Sequence, residues 1–283
     1  MRIQLLINDL TSKRYRNYLL RRYILSIFLK FFSRLIYCLR GIIPTDLYRL
    51  KEPIFIVGCS RSGTTFFTDT VSQHPDICNW SEAAQILELG FYDKKCDHVK
   101  TVSDVSPEDT FRIRLLFGIK TQVFRAKCFV NKHPENSLRM AWLKHIFPDA
   151  KFIHLYRNGR AVVASNYQKT IKDRFRRDWP FGQFPKPKDW KTYVCLSLEE
   201  QFAVQWVDVT SAITRFANEN LVRSDYLELR YEDFCNKPEK LLKKLMNFVG
   251  WTLVNGNLTN YQPSLCRNTK LVTCVRSASE NQN

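Results

Sequence analysis

Residues 57–67 read VGCSRSGTTFF, with Gly58 and Gly63 at the spacing of a phosphate-binding loop. Such a loop wraps an anion with successive backbone N–H groups, and the helix that follows adds the positive end of its dipole. Gly58 and Gly63 permit the tight path, and Ser62, Thr64 and Thr65 add hydroxyl donors. The nucleoside-triphosphatase version of this loop carries a lysine directly after its second glycine. Here Thr64 holds that place, and the cation is Arg61, inside the loop. Two nearby apolar runs, FVNK (129–132) and HLYR (154–157), end in basic residues, so neither supplies a carboxylate for magnesium. The loop therefore suits an anion less charged than a metal-bridged triphosphate.

A second arginine and serine stand in YRNGRAVVAS, residues 156–165. Arg157 closes an apolar run and Ser165 follows eight residues later, inside the next helical pattern. A guanidinium fork and a hydroxyl so placed can converge on a second phosphate. Arg160 reads as a surface charge at the helix start.

These residues need strands and helices to hold them. PIFIVGC (53–59), KCFVNK (127–132), KFIHLYR (151–157) and DYLELRYE (225–232) read as strands. Helical patterns cover 64–73, 134–150, 158–170, 197–220 and 238–250, the last with Pro near its start and Gly at its end. Alternation of this kind predicts an α/β fold, a P-loop-like parallel sheet with helices on both faces. Ligands of such sheets sit beyond the carboxyl ends of the strands, where both motifs fall. The segment 174–193, rich in Pro, aromatic and basic residues, reads as a long loop.

RSGTT after a strand, then YRNGRAVVAS, then LELRYEDFCNKPEKLLKKLMNFVGW, in that order, resembles the sulfotransferases that use 3′-phosphoadenosine 5′-phosphosulfate, over residues 52–251. The resemblance is to the tyrosylprotein and glycan sulfotransferase branch. It implies that Arg61, Ser62, Gly63, Thr64 and Thr65 hold the 5′-phosphosulfate, that Arg157 and Ser165 hold the 3′-phosphate, and that Tyr231 lies near the adenine. It also implies catalytic roles for Glu82, Lys132 and Arg61. Glu82 stands 21 positions after Arg61, as the catalytic glutamate does in that branch, and a carboxylate there can accept the proton of an acceptor hydroxyl. Lys132 matches a lysine that contacts the bridging oxygen of the donor, and with Arg61 would stabilise charge on the leaving phosphate. Without the resemblance, Glu82 reads by default as a helix-capping residue after Ser81, Lys132 as a strand-end surface lysine, and Tyr231 as strand-end packing. The implied reaction moves a sulfuryl group to a hydroxyl or amine, of a glycan or a peptide tyrosine, with no metal. After Trp251 the chain departs from the family pattern. A P-loop kinase or NTPase is the alternative enzyme, disfavoured by Thr64. A basic membrane- or nucleic-acid-binding module on the same fold is the non-enzyme alternative.

The 283 residues carry 44 Lys and Arg against 27 Asp and Glu, a formal charge of +17. That balance favours anionic partners. Arg174, Arg176, Arg177, Lys186 and Lys188 in the long loop suit an acidic acceptor, and a solvated loop equally. Nine cysteines show no C-x-x-C pair, which argues against structural zinc and a disulfide framework, and the odd count favours a reducing compartment. Cys59 and Cys128 read as buried small hydrophobes. The five histidines do not pair at ligand spacing; His74 and His133 precede prolines and read as turn residues.

Residues 1–50 form a basic arm ahead of a sulfotransferase-like domain, 51–283. Within the arm, 19–43 is apolar but interrupted by Lys30, Arg34 and Arg40, too often for a spanning helix of roughly 20 apolar residues. An amphipathic helix on an anionic bilayer is one reading, a helix docked on the protein's own body a second, and a degenerate anchor that does span a third, lower one. The expected location is cytoplasmic and peripheral to a membrane, or a Golgi membrane in a eukaryote, with no nucleic-acid partner.

Overall fold

The computed structural model describes residues 24, 27–28, 31–87, 97–172 and 185–250. Arg174, Arg176 and Arg177, and the divergent segment 252–283, lie outside them. The chain divides into two compact units, Met1–Leu229 and Arg230–Asn283.

Strand β1 (Ile54–Val57) is four apolar residues, all buried, as a strand needs when it has neighbours on both edges and helices on its faces. β3 (Cys128–Lys132) and β4 (Lys151–Tyr156) flank it in parallel, with Ile56 opposite Lys132 and Val57 opposite His154. β2 (Ile77–Asn79) pairs with β3, and β5 (Tyr226–Arg230) completes a parallel five-stranded sheet ordered β2-β3-β1-β4-β5. The chain crosses from β3 to β4 over β1, and a crevice at the carboxyl ends of these three strands is where such sheets bind ligands.

The flanking helices of the first unit are α1 (Thr64–Val71), α2 (Ala84–Leu87), α3 (Pro107–Val123), α4 (Met140–Ile146), α5 (Gly159–Lys172) and α6 (Leu198–Asn220). α6 starts in a capping box: Ser197 accepts from the Glu200 N–H, and the Glu200 carboxylate accepts from the Ser197 N–H. Ser106 caps α3 ahead of Pro107, its Oγ accepting from the Asp109 N–H at 3.0 Å. The core joins Phe55, Phe129 and Phe152 of the sheet to Phe117 of α3 and to Val209 and Ile213 of α6. Phe117 stacks on Phe129 at 4.3 Å between centroids. Each such side chain contributes about 1.5–3 kcal/mol by leaving water. In the second unit, α7 (Tyr231–Asn236) is followed by α8 (Pro238–Val249), which ends at Gly250 with φ 74°.

Three departures from the sequence reading have physical causes. The span 134–150 is not one helix: a 3-10 turn, Pro134–Leu138, precedes α4. Its polar residues turn inward, Asn136 donating to Asn131 Oδ1 at 2.7 Å and Ser137 bonding Gly58, so they are structural and not solvent-facing. The last strand stops at Arg230, and Tyr231 begins a helix. Lys186 is fully buried, its ammonium 4.6 Å over the Trp190 ring, so it is no part of a surface basic cluster; Lys188 is exposed. β2 and α3 were not anticipated at all.

Candidate active site

β1 delivers the chain into the loop at Gly58, whose backbone runs so close to β4 that a Cβ would stand 2.4 Å from the Leu155 carbonyl oxygen. Ser137 fastens the turn from the other side: its Oγ accepts from the Gly58 N–H at 2.9 Å and donates to the Gly58 carbonyl at 3.1 Å. Gly63 leaves the loop with φ 87°, the left-handed conformation that glycine adopts without strain, and α1 begins at Thr64. Ser62 is wholly buried, and its Oγ has no hydrogen-bond partner among the described residues. An orphan hydroxyl inside a loop of this shape fits an anionic acceptor. Thr64 is buried and Thr65 exposed.

Arg61 has φ 72°, a region that costs a non-glycine residue about 1–3 kcal/mol and that clusters at functional sites. Its carbonyl accepts from Arg157 Nη1 at 3.1 Å, and its own Nε donates to Ser165 Oγ at 3.2 Å. The two motifs therefore meet: the loop cation, the strand-end arginine and the helix serine form one connected group above β1 and β4.

The second group stands above β2 and β3. Glu82 follows β2 in a turn with φ 51°, and its N–H donates to the Lys132 carbonyl at 2.7 Å, continuing the β2–β3 pairing past the strand's end. The Glu82 carboxylate, mostly exposed, pairs with Lys132 Nζ at 2.6 Å, while the lysine itself is 2% exposed. Because Ile56 is in register with Lys132, this ion pair lies beside the loop that starts two residues later. Among the described residues the other non-glycine positions with positive φ, Glu52 and Arg125, sit in turns leading into β1 and β3.

Sequence reasoning missed what braces the second group. Asn131 Nδ2 donates to the Trp80 carbonyl, and Asn136 bonds Asn131 in turn. Behind them Glu135 is buried between Arg139, at 2.9 Å, and His98, at 3.3 Å. The Lys186 N–H donates to His98 Nδ1, and the Lys186 carbonyl accepts from the His98 N–H. The density of polar residues in NKHPENS, 131–137, was the one signal of this network. Tyr231 belongs to the second unit, as the first residue of α7. His74 and His133 act as expected of turn residues, each accepting at Nδ1 from the N–H two positions on. Among the described residues no cluster of three or more His, Cys, Asp or Glu could hold a metal ion.

A sulfotransferase family model matches residues 53–255. An omega-hydroxy-beta-dihydromenaquinone-9 sulfotransferase of Mycobacterium bovis is 30% identical over 156 residues, 54% of this chain and 36% of that protein. Protein-tyrosine sulfotransferase 1 of Rattus norvegicus is 31% identical over 137 residues, 45% of this chain and 37% of that protein. The matches thus span little more than a third of those relatives' lengths. A sulfotransferase from Mycobacterium tuberculosis superposes with a TM-score of 0.57 at 14% identity, over 94% of this chain and 87% of that one. The sulfotransferase domain from the curacin biosynthetic pathway does so with 0.54 at 17%, over 76% and 79%. At these identities the structures speak to the fold.

Proposed function

The chain belongs to the sulfotransferase family, and we propose that it transfers a sulfuryl group from 3′-phosphoadenosine 5′-phosphosulfate to an acceptor hydroxyl. The observation that carries this reading is the joining of Arg61, Arg157 and Ser165 above β1 and β4, with the Glu82–Lys132 pair alongside. The donor set is cationic and hydroxylic, which suits a nucleotide bearing separate phosphate and phosphosulfate groups. In this reading Arg61 through Thr65 hold the phosphosulfate, and Arg157 and Ser165 the 3′-phosphate. When bound, the donor supplies a sulfur that is open to attack and a phosphate that can leave.

Glu82 takes the acceptor's proton as the acceptor oxygen forms its bond to sulfur. Lys132 and Arg61 neutralise the phosphate oxygen that keeps the electron pair of the broken S–O bond. The Glu82–Lys132 pair must loosen for this, and a mostly exposed carboxylate on a buried lysine can turn away without exposing the lysine's stem. A hydroxyl acceptor is supported by relatives named for an omega-hydroxy menaquinone and for protein tyrosine; a peptide tyrosine and a glycan are the acceptors to test.

Calorimetry tests the nucleotide. The bisphosphate product, 3′-phosphoadenosine 5′-phosphate, should bind without magnesium, and ATP with magnesium should bind far more weakly. The reverse order would return the chain to the kinase or NTPase alternative. A screen of glycans and tyrosine peptides with radiolabelled donor then identifies the acceptor, and salt-dependent DNA binding would favour the non-enzyme module.

A further inference from the structure

The arm carries two faces. Over 31–38 it is helical, and Ser33 and Ile36 are buried while Tyr37 is half-buried. Ile36 packs with Phe111 and Leu115 of α3, and Tyr37 meets Phe111 edge-on at 6.2 Å. Opposite this docked face lie Ile24, Phe28, Phe31, Leu35, Leu39 and Ile42, all among the exposed large hydrophobic residues. Their spacing is three or four residues throughout, so they form one stripe on a helical surface. Phe31 is 69% exposed and Ile42 79%, values far from those of residues covered by their own chain.

An apolar stripe of this pattern could meet a second copy of the chain or a bilayer. Charge decides between them. Residues 10–45 hold eight Lys and Arg and no Asp or Glu. Two such arms side by side would bring like charges together, whereas an anionic surface is attracted to each of them. A spanning role does not fit: Lys30 and Arg34 interrupt the apolar run, and among the described residues no helix is long and apolar enough to cross a membrane.

We propose that this stripe is a docking surface for an anionic lipid bilayer. The helix lies in the interface with Phe28, Phe31 and Leu35 in the acyl boundary and Arg34 at the headgroups. Because Ile36 and Tyr37 fasten the helix to α3, the arm fixes the orientation of the unit that carries it, and is not merely a tether. This inference is independent of sulfuryl transfer, since an inactive chain would still bind lipid.

The experiment is flotation of the full chain with vesicles of equimolar phosphatidylcholine and phosphatidylglycerol, against vesicles of phosphatidylcholine alone. The chain should float with the anionic vesicles and be released by high salt. Phe31→Gln combined with Leu35→Gln should weaken flotation more than tenfold, and Arg34→Glu about fivefold or more. Both variants change only exposed side chains, so their nucleotide affinity should match that of the unaltered chain and confirm that they fold. Unchanged flotation of the double variant would overturn the proposal. So would an absence of flotation, in favour of a second copy if sedimentation equilibrium shows a dimer that the same substitutions dissolve, and of a merely docked helix if it does not. Retention on the vesicles through carbonate washing would overturn it in favour of a spanning segment.

Discussion

The two halves of the candidate site are built in different ways. Above β1 and β4, the Arg61–Arg157–Ser165 group is held by backbone: Gly58 pressed against the Leu155 carbonyl, Gly63 in the left-handed region, and the Arg61 carbonyl gripped by Arg157. Above β2 and β3, the Glu82–Lys132 group is held by side chains: an ion pair, two asparagines in series and the buried Glu135 network behind. A backbone cradle is suited to a group whose shape never varies, such as a phosphate. A side-chain lattice can let go, as the chemistry proposed for the Glu82–Lys132 pair requires. If this division is right, substitutions in one half should change nucleotide affinity and those in the other should change rate.

The largest effect is expected on the rate side. Glu82→Gln keeps the size of the side chain and an acceptor for Lys132, but cannot take a proton. Removing a general base costs roughly 10²–10⁴-fold in rate, so single-turnover transfer at saturating donor should fall by that factor while affinity for the bisphosphate product stays the same. Lys132→Ala should also slow transfer, and a donor with a better leaving group should restore it more than it restores Glu82→Gln. Equal loss of nucleotide affinity in Glu82→Gln would dissolve the division. Near-normal turnover would return the glutamate to a capping role.

The complementary test is on the affinity side. Arg157→Ala removes the guanidinium of a residue that is 8% exposed and already donates to the loop carbonyl. A lost charge-assisted contact costs about 1.5–3 kcal/mol, so the bisphosphate should bind roughly ten- to a hundredfold more weakly by calorimetry. Ser165→Ala should follow in the same direction by less, since a neutral hydroxyl contributes about 0.5–1.5 kcal/mol. Full affinity in both variants would remove the second phosphate from this place.

The same division governs what could be read from the chain. Backbone cradles leave strong traces: two glycines, a run of hydroxyls and a cation at a strand end announce Gly58–Thr65 and Arg157, and the strands that carry them were visible as apolar runs. The other half leaves faint ones. β2 is three residues long, too short for any periodicity, so Glu82 was legible only by its distance from Arg61 and the family likeness. Asn136 and Ser137 look like the polar face of an amphipathic helix, because inward-facing and outward-facing polar residues are the same letters. Lys186 misled for a similar reason: the aromatic face that shelters it, Trp190, comes four residues later in a run that reads as loop. α3 escaped because its buried residues, Arg112 and Gly118 among them, do not follow a clean apolar stripe. Tyr231 was placed at a strand end because Tyr226–Arg230 and the short helix after it form one unbroken mixed run.

A smaller effect tests whether the cradle is as tight as the geometry implies. In Gly58→Ala the new methyl would meet a main-chain oxygen of β4 that has no rotamer to escape into. Forcing atoms into a packed site costs typically about 1–3 kcal/mol. The midpoint of urea unfolding should drop accordingly, with nucleotide affinity lowered as the loop shifts. An unchanged midpoint would mean that the loop and Leu155 can separate freely, and the donor half would lose its claim to rigidity.

The smallest effect uses as reporters one thiol in the loop and one on β3, the strand that ends in Lys132. Cys59 lies in the loop and Cys128 at the start of β3, and burial pushes both thiols up to about 12; the Ser60 backbone N–H at Cys59, and the Lys151 charge at Cys128, offset this only in part. A thiol whose proton is held more tightly in the folded chain stabilises nothing extra below its ordinary value of 9.0, and the folded state loses ground as pH rises from there toward 12. The unfolded chain then releases protons that the folded chain retains. By pH 9 the loss is about 0.4 kcal/mol per thiol, steepening toward about 1.4 kcal/mol per pH unit above it. At pH 8 neither thiol should react with iodoacetamide while the exposed Cys38 and Cys195 do, because the thiolate is the nucleophile. Reaction at Cys59 or Cys128 therefore requires local opening. Adding 3′-phosphoadenosine 5′-phosphate should slow modification of Cys59, which lies in the proposed phosphosulfate loop, and leave Cys128 nearly unaffected. Equal protection of both would mean that nucleotide binding stiffens the whole sheet, and the two halves would then be one cooperative unit.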